Sequence, residues 1–271
     1  MNKIKMICLD IDGTLLNSQH KISQKTNDII RVAANEKQIP VILVSARMPK
    51  GILFLQKELN IRQPIICYSG ALVIDAKANI LSSSGIAILD VTQVYSFVKE
   101  LNVHMSLYKD DEWYIEELDE WAKQESEITN ITPNITSFTD LLNTWENENS
   151  GPNKILCMGK PNDIKLLNAK IKSVHSSDLN VYPSKPTYLE IMPNNASKTS
   201  AIEILMQKLN IQRSEIIAIG DNYNDIDMIE FAGIGIAMGN APDKVKQYAD
   251  DITFSNDEDG VAQAIKKYII S

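Results

Sequence analysis

The run Met6-Ile7-Cys8-Leu9-Asp10-Ile11-Asp12-Gly13-Thr14 limits what this chain of 271 residues can become. Its apolar stretch reads as a strand buried on both faces, the kind that parallel sheets use. The strand ends in two carboxylates two residues apart. In extended backbone residues i and i+2 point the same way, so Asp10 and Asp12 are expected to face one small volume. Two carboxylates ~4 Å apart at an effective dielectric of ~20 repel by about 4 kcal/mol. A fold keeps such a pair when a cation, a shared proton or solvent relieves it. Taken alone, the pair also fits an inert acidic loop wetted by solvent.

Ile216-Ile217-Ala218-Ile219-Gly220-Asp221-Asn222-Tyr223-Asn224-Asp225 repeats the pattern, with an apolar strand, a glycine, an acid, and a second acid four residues on. A doubly wound sheet gathers the carboxyl ends of its strands at one crevice, where ligands bind. Asp10, Asp12, Asp221 and Asp225 are therefore expected to share one site. Oxygen-only ligands of this kind suit a hard divalent cation, Mg²⁺ above all. Val41-Ile42-Leu43-Val44-Ser45-Ala46-Arg47 is a third apolar strand, ending in a hydroxyl, where Ser45 and the next backbone N–H can hold phosphate oxygens. Lys198 lies just before a helical stretch at residues 200–209. A cation there has the wrong sign for the helix dipole, so an anion is expected beside it. For Lys198 alone a solvated surface lysine is the simpler account, and for Arg47 a structural ion pair weighs as much as a role near the site.

In this order, D-x-D-G-T, a strand ending in a hydroxyl, a lone lysine and G-D-x-x-N-D resemble the haloacid dehalogenase superfamily and, more closely, its Cof-type sugar phosphatase branch. The similarity runs on through Ala232-Gly233-Ile234-Gly235-Ile236-Ala237-Met238-Gly239-Asn240-Ala241 and Glu258-Asp259-Gly260-Val261-Ala262. Ser45-Ala46-Arg47 stands where the branch usually has Thr-Gly-Arg, and Lys198-Thr199 where it usually has Lys-Gly. Serine keeps the hydroxyl, so phosphate binding is expected to survive. The resemblance implies that Asp10 is a nucleophile forming an aspartyl-phosphate. It implies that Asp12 is first the general acid and then the general base. Mg²⁺ would be held by Asp10, the backbone carbonyl of Asp12, and Asp221. Lys198 would neutralise phosphoryl oxygens, and Ser45, Ala46, Asn224 and the N–H of Ile11 would complete the phosphate cradle. Asp225 would stand behind Asp221 or Lys198, with Arg47 likewise outside the direct contacts.

Along the chain, strands and helices alternate up to a strand at residues 65–68, as in an α/β sheet. Residues 70–81 read as a hairpin, and about a hundred residues of mixed texture follow. Parallel order is expected to return with a strand at residues 188–192. The fold class is thus α/β, a doubly wound, Rossmann-like parallel core formed by residues 1–83 and 188–271. Residues 84–187 form an inserted α+β domain, which the resemblance makes a cap of the second kind that sets substrate specificity. The insert lies between Arg47 and Lys198, and the resemblance places the helical cap of sugar-phosphate mutases earlier, which disfavours a mutase. A phosphotransferase or mutase, or a non-catalytic phosphometabolite-binding module, are the alternatives to a phosphatase.

Composition fits these expectations. A net charge of -8 with no basic run speaks against nucleic acid, so positive charge at the site must be local. No apolar run reaches membrane-spanning length, and the first apolar stretch stops at Asp10 with no cleavage site after it. Three scattered cysteines, Cys8, Cys67 and Cys157, read as reduced, buried thiols of a cytoplasmic protein. A small phosphorylated metabolite is the expected partner. Tyr108, Trp113, Tyr114 and Trp121 are expected to pack the insert's own core more often than to stack on a leaving group. Residues 110–120 hold seven acids and no base, a pattern of solvated surface. His20, His104 and His175 lack the spacing of metal ligands.

Overall fold

A computed structural model describes residues 3–174 and 179–270 of the chain. The strand β1 (Met6–Asp10) is buried at every position, as its unbroken apolar sequence requires. It is followed by α1 (Gln24–Arg31), whose N-cap Ser23 accepts from the N–H of Thr26, then β2 (Val41–Val44) and α2 (Pro49–Leu59). The strands β3 (Ile65–Cys67), β4 (Leu72–Ile74) and β5 (Ile80–Ser83) complete this first stretch, the last two joined through the expected turn.

A second group of elements follows: α3 (Ile88–Leu101), β6 (His104–Lys109), β7 (Glu112–Ile115), α4 (Glu120–Thr129), β8 (Asn134–Ile135), α5 (Phe138–Asn147), β9 (Lys154–Met158), α6 (Pro161–Val174), β10 (Leu179–Lys185) and β11 (Tyr188–Pro193). The chain then forms α7 (Lys198–Leu209), β12 (Ile216–Gly220), α8 (Ile226–Phe231), β13 (Ile234–Ala237), α9 (Asp243–Lys246), β14 (Asp251–Ile252) and α10 (Gly260–Ile265).

Two compact units result, one of Met1–Arg47, Ile52–Ser82 and Ser197–Ser271, the other of Met48–Gly51 and Ser83–Ala196. Among the described residues the first unit carries an eight-stranded sheet in the order β14-β13-β12-β1-β2-β3-β4-β5. Strands β14 through β3 are all parallel, and β4 is antiparallel to β3. One side of this sheet buries Met6, Cys8, Ile42, Val44, Ile66 and Ala218 against Ala201, Ile202 and Leu205 of α7. At ~25 cal/mol per Å² of apolar area, such two-sided burial is the main force holding a parallel sheet together.

The second unit carries a six-stranded sheet, β10-β11-β9-β6-β7-β8, antiparallel except between β7 and β8. Its helical side packs Val91, Val94 and Val98 of α3, Phe138, Leu142 and Trp145 of α5, and Ile164, Leu167 and Ile171 of α6 on Met105, Leu107, Ile155 and Cys157. Here the sequence expectation is corrected. The strand expected to restart the parallel core at residue 188 is β11, which pairs antiparallel with β9 and β10 in the second sheet. An apolar run such as Tyr188-Leu189-Glu190-Ile191-Met192 suits either sheet, because both bury it. The first unit therefore resumes at Ser197.

Tyr108 and Trp113 are buried and stacked with ring centroids 5.8 Å apart, and Tyr114 meets Trp145 edge to face. The acidic stretch is less solvated than its composition suggests: Glu116 binds Tyr95 and Lys99, and Asp119 caps α4 while accepting from His104. His20 is exposed, and His175 lies outside the described residues. All three cysteines are buried, and no described helix is long and apolar enough to cross a membrane.

Candidate active site

Register alone brings the chemistry to one edge of the first sheet. β1 lies between β2 and β12, with Asp10 beside Val44 and Leu9 beside Ile219, so the carboxyl ends of the three strands deliver Asp10, Ser45 and Asp221 together. Asp10 is only 7% exposed, and its Oδ1 accepts from Lys198 Nζ at 2.5 Å. The same ammonium donates to Oδ1 of the fully buried Asp225, also at 2.5 Å. Asp225 Oδ2 accepts from the N–H groups of Asp221 at 3.0 Å and Asn222 at 2.9 Å, so this side chain supports both Lys198 and the Asp221 loop.

Lys198 opens α7, whose N-cap Ser197 forms a reciprocal box with Ser200. The anion expected beside a lysine at a helix N-terminus is supplied twice over, by Asp10 and Asp225. Burial pushes the Lys198 ammonium toward neutrality, but the two carboxylates outweigh it and the net shift is upward. Burial raises the Asp10 carboxyl well above the ordinary range, Asp225 raises it further and Lys198 opposes both. Asp221 is pushed up to about 6, mainly by burial, against a 2.6 Å hydrogen bond from Thr14 Oγ1.

These shifts have one cause, since three carboxylates share a low-dielectric volume with one ammonium. Oxygens of Asp10, Asp221 and Asp225 lie within 4.8 Å of one another, an all-oxygen set that fits a hard divalent cation. Because both oxygens of Asp225 are engaged by Lys198 and backbone N–H groups, Asp10 and Asp221 are the better donors. Gly13 has φ +88°, and a Cβ there would sit 2.4 Å from Asp221 Oδ2, so the loop after Asp12 closes on Asp221 only as glycine.

Asp12 departs from the expected cluster of four acids. Among the described residues the cluster comprises Asp10, Asp221 and Asp225. The Asp12 carboxylate instead forms a two-pronged pair with Arg47, Nε to Oδ2 at 2.9 Å and Nη2 to Oδ1 at 2.6 Å. The D-x-D repulsion is thus relieved by two different cations, Lys198 for the first acid and Arg47 for the second. β1 ends at Asp10, and the turn that begins at Ile11 breaks the strict alternation on which the shared volume depends.

Ser45 is buried, with its carbonyl accepting from the Ser69 N–H at 2.9 Å and its Oγ accepting from the Arg47 N–H at 3.2 Å. Tyr68, Ser69 and Gly70 all have positive φ, and a Cβ on Gly70 would meet the Ser197 carbonyl at 2.0 Å. This turn therefore links the Ser45 loop to the start of α7. Ile11 is buried, with its carbonyl accepting from Thr14 and Leu16, while Asn224 is exposed on the turn before α8. Two positioning groups have no role in the sequence reading. Both lie inside motifs of the chain, Thr14 in D-x-D-G-T and Asn240 in the stretch 232–241, and Asn240, whose Nδ2 donates to the Gly13 carbonyl at 2.9 Å, acts through a contact far away in sequence.

Comparison with known proteins bears on the chain as a whole. Residues 7–265 match the family model of haloacid dehalogenase-like hydrolases. A Haemophilus influenzae protein, provisionally named a phosphatase, is 33% identical over 266 residues, 97% of each chain. A 5-amino-6-(5-phospho-D-ribitylamino)uracil phosphatase of Bacillus subtilis is 28% identical, covering 98% of this chain and 96% of its own. The crystal structure of a haloacid dehalogenase-like hydrolase from Bacteroides thetaiotaomicron superposes with a TM-score of 0.87 at 31% identity, covering 98% and 99% of the two chains.

Proposed function

Because the chain belongs to the haloacid dehalogenase-like hydrolases and is a phosphoric monoester hydrolase, we propose that it hydrolyses small phosphate monoesters, sugar phosphates or similar phosphometabolites, through an aspartyl-phosphate on Asp10. The observation that carries this reading is the Lys198 ammonium bridging buried Asp10 and Asp225 at 2.5 Å, beside the oxygens of Asp221. A buried carboxylate held next to a fixed cation is poised to attack an anionic phosphoryl group without the two repelling each other.

In the first half-reaction an oxygen of Asp10 bonds to phosphorus as the bond to the leaving oxygen breaks, and Asp12 gives that oxygen its proton. In the second, Asp12 takes a proton from water while the water oxygen bonds to phosphorus. The bond from Asp10 to phosphorus breaks and inorganic phosphate leaves. Lys198, Ser45 and the N–H groups of Ile11 and Ala46 bind the phosphoryl oxygens, with Asn224 at the edge. Asp10, the Asp12 carbonyl and Asp221 would hold Mg²⁺, which when bound would supply charge neutralisation at the phosphoryl group. Specificity for the alcohol is assigned to the inserted second unit.

The test is hydrolysis of p-nitrophenyl phosphate by the intact protein with Mg²⁺, with EDTA, and by Asp10→Asn. Turnover lost in both controls is expected. Turnover that persists in Asp10→Asn contradicts the assignment of the nucleophile.

A further inference from the structure

Arg47 holds both oxygens of Asp12, yet the pair is poorly protected: the two side chains are 34% and 52% exposed. Exposed ion pairs contribute little, because solvent competes for each partner. A residue meant only to fix a general acid would gain from burial. The backbone of Arg47, by contrast, is held firmly. Its N–H donates to Ser45 Oγ, its carbonyl accepts from the Tyr68 N–H at 3.2 Å, and Tyr68 and Ser69 adopt φ of 51° and 53°. Non-glycine residues in that region carry backbone strain, which the surrounding fold must sustain. The arrangement anchors the backbone beside the phosphate cradle and leaves the guanidinium in a bond that is easily exchanged.

We propose that Arg47 is a positioning residue that changes partner: it holds Asp12 until a phosphoryl group lies against Ser45, then transfers its guanidinium to that group and releases Asp12 toward the leaving oxygen. The inference rests on the phosphatase reading of this site. A phosphoryl dianion is the stronger acceptor for a planar, two-pronged donor, because it offers more charge and three terminal oxygens. No covalent bond changes in this step; the ion pair between Arg47 and Asp12 is replaced by one between Arg47 and phosphate. The protein thereby keeps its acid–base group turned aside until there is something to protonate.

The test is a cycle of phosphate-binding measurements by titration calorimetry on the full chain in Mg²⁺, with inorganic phosphate as the probe. Arg47→Gln is expected to weaken phosphate about tenfold or more, as the loss of a hydrogen bond between charged groups does. Asp12→Asn is expected to tighten phosphate several-fold while Arg47 is present, since it removes the competitor for the guanidinium. In the Asp12→Asn, Arg47→Gln double variant that tightening should largely vanish. If Asp12→Asn tightens phosphate equally in both backgrounds, only charge is at work and the exchange is refuted. If the wild type binds no phosphate at millimolar concentration, the phosphatase reading of the site fails with it. Both side chains are half-exposed, so the variants are expected to fold, which circular dichroism checks.

Discussion

A lysine in the first turn of a helix opposes the helix dipole, and Lys198 is stable there because two buried carboxylates close on it. Removing it leaves Asp10 and Asp225 facing each other in a dry environment. Lys198→Met is therefore expected to lower stability by about 3–5 kcal/mol at neutral pH, the usual effect of breaking a buried pair from one side. Urea denaturation measures this, and a loss below about 1 kcal/mol would mean that the cluster is wetter than its burial indicates. The roles of these residues were partly legible in sequence, because Asp10 ends an apolar strand, Asp225 lies in the acidic turn after another, and Lys198 stands at a helix start where an anion is expected. The partner of Asp12 was not. The sequence leaves Arg47 between a structural ion pair and a role near the site, and only the fold shows that its pair is with the acid of the D-x-D motif.

Among elements, the turn Tyr68–Gly70 carries more of the site than its length suggests. It ties the end of β2 to the start of α7, and Gly70 approaches the Ser197 carbonyl where no Cβ fits. Gly70→Ala is expected to destabilise the fold by about 1–3 kcal/mol through strain at its left-handed backbone. It should also lower kcat on p-nitrophenyl phosphate, because Lys198 and Ser45 move with the turn. A variant of wild-type stability and rate would show that the turn adapts freely.

In the second unit, His104 of β6 is buried between Asp119 at the cap of α4 and Ser106, with both contacts at 2.8 Å. Burial lowers its pKa, against the pull of Asp119. A lowered folded pKa means that the unfolded chain takes up the proton first. The stability contributed by the neutral ring is thus complete above the unfolded value, about 6.5, and is lost as pH falls below it. Between about pH 7.5 and pH 5 the wild type should lose more stability than His104→Gln; equal losses would remove His104 as the cause. Most of the parallel strands could be recognised because they are continuous apolar runs; β14, only Asp251 and Ile252, carries no such signal. The same signal misplaced β11, since a run of apolar residues reports burial and says nothing of which sheet supplies it.

At the scale of the whole molecule, the chain carries a net charge of -8, so a phosphate dianion depends on cations held locally at the site. In the acid cluster three carboxylates face one ammonium, an excess that a divalent cation offsets. Mg²⁺ is therefore expected to raise the unfolding midpoint and EDTA to lower it. The gain should be about 2.7 kcal/mol at a hundredfold excess over Kd, and Asp221→Asn should reduce it. No shift with Mg²⁺ would contradict the metal assignment while leaving the fold untouched.

Covalent participation of Asp10 is the claim on which the rest depends. The direct measurement uses Asp12→Asn with p-nitrophenyl phosphate and Mg²⁺. p-Nitrophenolate departs without needing a proton, while release of phosphate still needs the base, so the intermediate should accumulate. Acid quench, borohydride reduction and peptide mass spectrometry would then find homoserine in place of aspartate at position 10, dependent on substrate. Release of nitrophenolate with Asp10 unmodified, or modification at another carboxylate, would contradict the account.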